Sequence, residues 1–509
     1  MPRHAGLERY AEPLDRRHAM HLLRRTNFGA HLLEIEALIG LSAEAAVDMI
    51  VDAAVNQGLP DPPSWVDEGR PRDAQEQTQY FETNQQRMLA YRADWLRHMF
   101  NGGLRERMTL FWHNHFVTHT ANYRLAPFAY RYVTTLRTHA LGNFKDFVHA
   151  IGIDPAMLLY LNGAQNRVQA PNENYARELL ELFTMGPFDR QGNENYTQQD
   201  LEEIARALSG WYVDSFTLTV LHLAEFFDSE EKTIFGRAGN WGYDDVVDIL
   251  FKERADKIAE FVCRKLYKEF IYAEPDETFV TALAQVFLES KFEIAPVLRA
   301  LFGSAHFHDE PVIGVQIKSP VQMLVGLLRE TEPYFPRNND VFVWLHFSTR
   351  TLEQHLLNPP NVAGWEGHHS WLNTTTLQAR WRLTEALFAE QRFFLIALSE
   401  SVLASLDEPV HPRDPKSVFT LPVALAEHLI PVPVEMLDIE APPEDFAGDL
   451  DANPIPDEAI LRLPNVLNLA KIFLGDRPWY EWVLHSSRGP FILRRYLQYL
   501  TRLPEFQLT

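Results

Sequence analysis

Two histidines spaced four residues apart in MTLFWHNHFVTH (108–119) have the residue type and spacing for metal chemistry. On an α-helix, residues four apart lie on one face, so His115 and His119 can chelate one divalent transition metal ion. The residue after His115 is Phe rather than Glu. The pattern is therefore not H-E-x-x-H, which argues against a zincin-type peptidase. His113 points to another face of the same predicted helix.

A second dense group of polar side chains lies in NENYARELLELF (172–183). Helical spacing places Asn174, Arg177, Glu178 and Glu181 on one stripe, with Glu173 beside Arg177. Buried charges require partners, and two interpretations stay open. The segment is either an Arg–Glu network that joins two helices, or a carboxylate set that binds a metal or performs acid–base catalysis.

Together these segments predict a site between helices 104–119 and 173–184. We predict a metal-assisted enzyme, a hydrolase or an oxidoreductase, with one divalent transition metal ion as cofactor. The predicted metal ligands are His115, His119, Glu178 and Glu181. The predicted catalytic residues are Glu173, Arg177, Glu178 and His113. These segments hold no Glu-x-x-His pair, which favours a mononuclear site over a dinuclear one. The alternative is a non-catalytic binding or assembly protein whose polar segments are structural ion-pair networks.

Several other chemistries lack their motifs in this chain. There is no G-x-S-x-G elbow, no Walker A loop and no dinucleotide fingerprint, so neither a nucleotide nor a flavin cofactor is expected. Lys and Arg number 47 against 69 Asp and Glu, which gives a formal net charge of −22. A field of that sign repels phosphate backbones, so nucleic acid is not an expected partner.

The elements that must position these residues are mostly helices, because apolar residues recur every three or four positions along most of the chain. The predicted fold class is mainly α, a large multi-helix orthogonal bundle with a small β-hairpin excursion near 211–235. We predict a main helical domain over 1–405, which includes a loop at 56–77. A Pro-rich, acidic insert or linker over 406–463 follows, and a C-terminal helical segment, 464–509, packs back on the main domain.

No stretch of about 18 apolar residues occurs, so no membrane insertion is expected. The first residues lack the apolar core of a signal peptide, which predicts a soluble protein in the cytoplasm. Export together with a partner stays open.

Six segments in order resemble the bacterial domain-of-unknown-function family 1800, an uncharacterised family. They are HLLRRTNFGA (21–30), LFWHNHF (110–116), PNENYARELLELFTMG (171–186), YTQQDLEEIARALSGW (196–211), EKTIFGRAGNWGYDDVVDIL (231–250) and PPNVAGWEGHHSWLN (359–373). The positions that match the family signature are His21, Arg24, His113, Asn114, His115, Glu173, Asn174, Arg177, Glu178, Glu181, Lys232 and Trp365.

The resemblance implies no settled activity. Many members are exported, and they are often encoded beside a family related to alkaline phosphatases and sulfatases, which implies a phosphatase- or sulfatase-like protein partner. This chain departs from many members at Phe227-Asp228, where they have His-Asp. If that histidine acts in the other members, its role is missing here.

Overall fold

A computed structural model describes residues 6–331, 339–389, 392–414, 417–439, 464–475 and 477–509. Within these residues the protein is mainly α-helical, with 22 helices and two small antiparallel sheets of two strands each. The predicted fold class, mainly α with a small hairpin, is confirmed. None of the described helices has both the length and the apolar character needed to cross a membrane.

The helices, in chain order, are α1 (Arg16–Thr26), α2 (Leu32–Leu38), α3 (Ala43–Asn56), α4 (Ala74–Asn101), α5 (Gly103–His115), α6 (Thr120–Tyr123), α7 (Ala126–His139), α8 (Phe144–Gly152), α9 (Pro155–Tyr160), α10 (Asn174–Glu178), α11 (Gln198–Ala207), α12 (Tyr243–Glu253), α13 (Ala255–Phe270), α14 (Glu277–Glu289), α15 (Ile294–Phe302), α16 (Pro320–Glu330), α17 (Asn339–Thr351), α18 (Thr374–Phe388), α19 (Arg392–Ala404), α20 (Ser417–Leu429), α21 (Pro464–Leu474) and α22 (Gly489–Leu500).

Two hairpins interrupt the helices. Strand β1 (Trp211–Asp214) pairs with β2 (Thr219–His222), and β3 (Lys232–Ile234) pairs with β4 (Arg237–Gly239). The predicted β excursion near 211–235 is therefore present, and it continues into a second hairpin.

Two compact units divide the chain. The first consists of the described residues of Met1–Ala11, Ala43–Phe307 and His355–Glu366. The second consists of those of Glu12–Ser42, His308–Gln354 and Gly367–Thr509. The domain boundaries predicted from sequence stay predictions. Part of the predicted insert forms α20, and its residues 440–463 lie outside the described residues.

Local capping chemistry sets several helix ends in the first unit. Asp154 caps α9 by accepting a hydrogen bond from the Ala156 amide, and Pro155 occupies the first turn. Thr197 and Asp200 form the capping box that begins α11. Helices α4 and α5 are separated at Gly102, and Gly103 has a φ of 60°, which favours glycine.

One predicted helix is too long. The expected helix 104–119 ends at His115, because Phe116 leaves the helical conformation with φ −97° and ψ 64°. The Phe116 carbonyl accepts a hydrogen bond of 2.6 Å from Tyr132 Oη of α7, and the Phe116 ring packs against Phe147 and Phe183. These tertiary contacts end the helix at a position where the apolar periodicity would continue it.

A buried aromatic cluster holds the end of α5 in the first unit. Trp112 stacks on Phe116 and Phe144, and its ring meets Phe147 edge to face. Its indole Nε1 donates to the Ala140 carbonyl at 3.0 Å, so the one polar atom of the ring is satisfied. This packing fixes the direction in which the histidines of α5 point.

Candidate functional site

His113 lies in a buried chain of hydrogen bonds that runs from the Leu357 amide to the Phe116 carbonyl. The Leu357 amide donates to His113 Nε2 at 3.0 Å, so the proton is on Nδ1, which donates to Tyr132 Oη at 2.9 Å. Tyr132 Oη in turn donates to the Phe116 carbonyl. Burial, with a smaller effect of Arg92, lowers the pKa of His113 to about 3. The imidazole is therefore neutral, and both of its nitrogens are engaged.

His115 is also buried, and each of its two ring nitrogens makes a hydrogen bond. Lys265 Nζ of α13 donates to His115 Nδ1 at 3.0 Å, which leaves the proton on Nε2. That Nε2 donates to the Phe183 carbonyl at 2.9 Å. Burial and the Lys265 ammonium hold the pKa of His115 well below its ordinary value, while the bond to Phe183 opposes them. His115 thus joins α5 to two other segments.

The Phe183 carbonyl can accept the hydrogen bond from His115 because it lies in the last turn of the NENYARELLELF segment, where it has no partner within its own helix. Helix α10 continues into a π-helical stretch, Leu179–Thr184, and the last carbonyls of any helix lack partners within it. Lys265 Nζ donates to the Leu182 carbonyl at 3.0 Å, and Asn195 Nδ2 donates to those of Met185 and Gly186, both at 3.0 Å. Side chains from α5, from α13 and from the loop that follows the π-helical stretch therefore cap this terminus.

No pattern in the sequence indicates a role for Lys265 or Asn195. Lys265 is 83 residues from Leu182 and 150 from His115, so no spacing pattern connects them. Burial and then Lys268 lower the pKa of Lys265 to about 7.

The acidic residues of the second predicted segment lie on an accessible face. Arg177 donates to Glu173 at 3.0 Å and to Glu181 at 3.4 Å, and Tyr196 Oη donates to Glu181. The Arg177 side chain is 42% exposed, so this network is a surface ion-pair network. Both ion pairs of Arg177 lie within this one segment, whereas the Arg–Glu interpretation expects ion pairs between two helices.

Glu178 differs from its neighbours. It is half-buried, and within the described ranges it has no hydrogen-bond partner. Burial and then Glu181 raise its pKa above the ordinary value, and Arg177 opposes them.

The expectation that His115 and His119 lie on one face of a single helix is wrong. Helix α5 has ended at His115, and His119 instead caps α6 by accepting a hydrogen bond from the Ala121 amide at 3.2 Å. Among the residues that the structure describes, no group of three or more His, Cys, Asp or Glu side chains is arranged to hold a metal ion. The divalent metal ion at His115, His119, Glu178 and Glu181 stays a prediction.

A cavity of about 430 Å³ opens where the π-helical stretch ends. Its walls come from the segment Met185–Asn195, from α13 and from the first turn of α14. Apolar surface is contributed by Met185, Phe188 and Phe261. The charged lining residues are Asp189, Arg190, Lys257, Glu260, Arg264 and Glu277.

Three basic and three acidic side chains thus balance in the lining. Glu277 forms ion pairs with two guanidinium groups, that of Arg264 at 2.8 Å and that of Arg190 at 3.1 Å. Arg190 also forms an ion pair with Glu260. Lys257 Nζ reaches Asp189 only at 3.4 Å. Hydrogen bonds from Asn193, with a smaller contribution from Lys257, lower the pKa of Asp189 to about 2 and outweigh burial, which raises it.

The family model described as "Protein of unknown function (DUF1800)" matches residues 21–508, nearly the whole chain. The chain belongs to the DUF1800 family. No curated protein and no solved structure matches it. The predicted family resemblance is therefore confirmed, and the DUF1800 description assigns no reaction.

Other positions that match the DUF1800 signature are also held by main-chain contacts. Asn114 Oδ1 accepts from the Trp365 amide at 2.7 Å, and its Nδ2 donates to the Trp365 carbonyl at 3.1 Å. Lys232 is buried, and its Nζ donates to the carbonyls of Glu230, at 2.9 Å, and Asp228. At the departure from the family pattern, Asp228 pairs with Arg206 at 2.7 Å.

The signature residue Arg24 belongs to the second unit. Its Nε donates to Glu330 at 2.7 Å, and both side chains are almost fully buried. His428 Nε2 donates to the Glu330 carbonyl at 2.6 Å. His21 is buried in the same unit, with its ring 6.4 Å from that of His308.

The Lys265 environment predicts a pH dependence of stability. Its pKa is about 7 in the folded protein and 10.5 without burial, so between those values the unfolded chain binds more protons. The stability of the wild type relative to Lys265→Met should therefore rise from pH 7 to pH 10, by roughly 1 kcal/mol per pH unit. Urea unfolding of both proteins across this range measures the difference, and a flat or falling difference contradicts the prediction. Lys318, whose pKa is also about 7, cancels because both proteins contain it.

Proposed function

We propose that this protein is a binding protein, and that its ligand occupies the cavity between the segment Met185–Asn195 and α13. The observation that carries the proposal is the cavity itself, about 430 Å³ with apolar surface and six charged side chains. That volume lies within the range of small-molecule sites.

Two features around the cavity support the proposal. The π-helical stretch Leu179–Thr184 leads directly into its wall, and π-helical turns occur frequently at functional sites. His115 and Lys265 cap this stretch through hydrogen bonds to the carbonyls of Phe183 and Leu182, and these bonds fix the backbone that leads to the cavity. His115 acts here as a positioning residue, since both nitrogens of its ring are already hydrogen-bonded.

A panel of small carboxylates, amines and amino acids, examined by ligand-observed NMR, tests the proposal. We expect at least one class to bind the wild type and to lose binding in a Lys257→Met/Glu260→Gln double variant. Lys252→Met is the matched control, because Lys252 is exposed on α12 and does not line the cavity. A panel without binders, or equal loss in the control, contradicts the proposal.

A metal-assisted enzyme is the second candidate function. It is favoured by Glu178, a half-buried carboxylate with a raised pKa next to Glu181, which is the environment of many acid–base groups and metal ligands. Elemental analysis of the purified protein separates the candidates, because only this one requires a stoichiometric divalent metal ion.

The predicted partner and location stay proposals. Family resemblance supports a phosphatase- or sulfatase-like protein partner, and the net charge of −22 supports the expectation that nucleic acid is not bound. Residence in the cytoplasm rests on the sequence expectation alone.

A further inference from the structure

The cavity lining contains two opposite charges that are neighbours on one helix face. Lys257 and Glu260 are three residues apart on α13, a spacing that places side chains side by side. Both remain accessible, with the Lys257 side chain 28% exposed and that of Glu260 25% exposed. No ion pair joins them to each other within the described residues.

Each of these two groups keeps unused hydrogen-bonding capacity. An ammonium has three donors, and among the described residues Lys257 hydrogen-bonds only Asp189, at 3.4 Å, while Asp256 lies 4.0 Å away. A carboxylate accepts about four hydrogen bonds, and the one ion pair of Glu260 among the described residues is with Arg190. By contrast, Glu277 is shared by two guanidinium groups and Arg264 pairs with it through two nitrogens.

A ligand that meets both groups must carry both charges close together. Its anionic group would accept from Lys257 and its cationic group would donate to Glu260, which leaves the charge balance of the lining unchanged. A ligand with one charge would leave one of the two side chains desolvated without a new partner, which is unfavourable. The apolar surface beside them comes from Phe261, next to Glu260 in the chain, and from Met185 and Phe188.

We infer that the cavity binds a zwitterionic ligand of the amino-acid type, with an apolar side chain on the Phe261 surface. The inference rests on the proposed binding function and names its ligand class. In an α-amino acid the carboxylate and the ammonium are attached to one carbon, so both reach adjacent side chains of one helix face. The cavity volume of about 430 Å³ accommodates an amino acid with a large side chain.

Three compounds with the same phenyl group test the inference in the full chain by isothermal titration calorimetry. They are L-phenylalanine, 3-phenylpropionate, which lacks the ammonium, and 2-phenylethylamine, which lacks the carboxylate. We expect phenylalanine to bind the wild type at least about tenfold more tightly than either single-charge compound, since each charged hydrogen bond contributes that much.

The variants assign each charge to its partner. In Lys257→Met the affinity for phenylalanine should fall to that for 2-phenylethylamine, and in Glu260→Gln it should fall to that for 3-phenylpropionate. Lys252→Met should leave all three affinities unchanged. Equal or tighter binding of 3-phenylpropionate or 2-phenylethylamine by the wild type overturns the inference and leaves the binding function standing. Absence of binding by all three compounds overturns the inference, and the wider panel then decides the binding function separately.

Discussion

Glu106→Gln is expected to lower the free energy of unfolding by about 3–5 kcal/mol, the range for breaking a buried ion pair on one side. Glu106 and Arg137 are 3% and 2% exposed, and Arg137 donates to Glu106 through Nε at 2.6 Å and through a second nitrogen at 3.2 Å. Trp95 Nε1 also donates to Glu106, at 2.9 Å. The amide would leave a buried guanidinium without a counter-charge. Chemical denaturation followed by circular dichroism measures the change.

Two further variants show whether burial is the cause. Glu106→Gln/Arg137→Met removes both charges and should recover much of the lost stability, because apolar replacements of buried pairs are often tolerated. Glu173→Gln breaks an ion pair that is largely exposed, so it should cost less than about 1 kcal/mol. If the double variant is as unstable as Glu106→Gln, the uncompensated charge is not the reason.

His115→Phe is expected to destabilise the protein by about 2–4 kcal/mol, with or without a metal chelator. The substitution keeps a ring in the aromatic cluster but leaves the Phe183 carbonyl and the Lys265 ammonium each without one hydrogen-bond partner. A buried polar group that loses its partner costs about 1–3 kcal/mol. Thermal and urea unfolding in buffers with EDTA and with added zinc measure the effect.

His119→Phe is the matched control for the role of His115. Because His119 caps a short helix and is only partly buried, we expect it to cost about 1 kcal/mol or less. If the two histidines instead chelate one metal ion, both variants should lose that ion and fall to a similar stability. Destabilisation of His115→Phe only in the presence of metal would contradict the capping role and favour the metal-assisted enzyme.

Helical periodicity was sufficient to predict the fold class, because the buried face of a helix requires an apolar residue at every third or fourth position. Local capping residues begin helices at Asp154 and Thr197, where side chain and backbone are close in sequence. Periodicity failed at Phe116, where a hydrogen bond from Tyr132 and ring contacts end α5 before His119. The sequence contains no local signal for a contact with α7.

At the candidate site, too, some features have a local signal in the sequence and others depend on tertiary contacts. Residue types and spacing in the sequence indicated the segments of His115 and Glu178, and in the structure the first segment caps the helix of the second. Lys257 and Glu260 give no such signal, because an i, i+3 pair of opposite charges is ordinary on a helix surface. Only the neighbouring segment Met185–Asn195 turns that pair into part of a cavity.

The mainly helical fold, the β excursion and the family follow from the amino-acid sequence, since these depend on short-range patterns and on matching segments. The roles of the polar side chains depend instead on how distant segments pack together. His115 meets Phe183, 68 residues away, and Lys265, 150 residues away, only after the chain has folded. The burial that keeps this histidine neutral, and the carbonyls it shares with Lys265, arise from packing between segments that no local pattern connects.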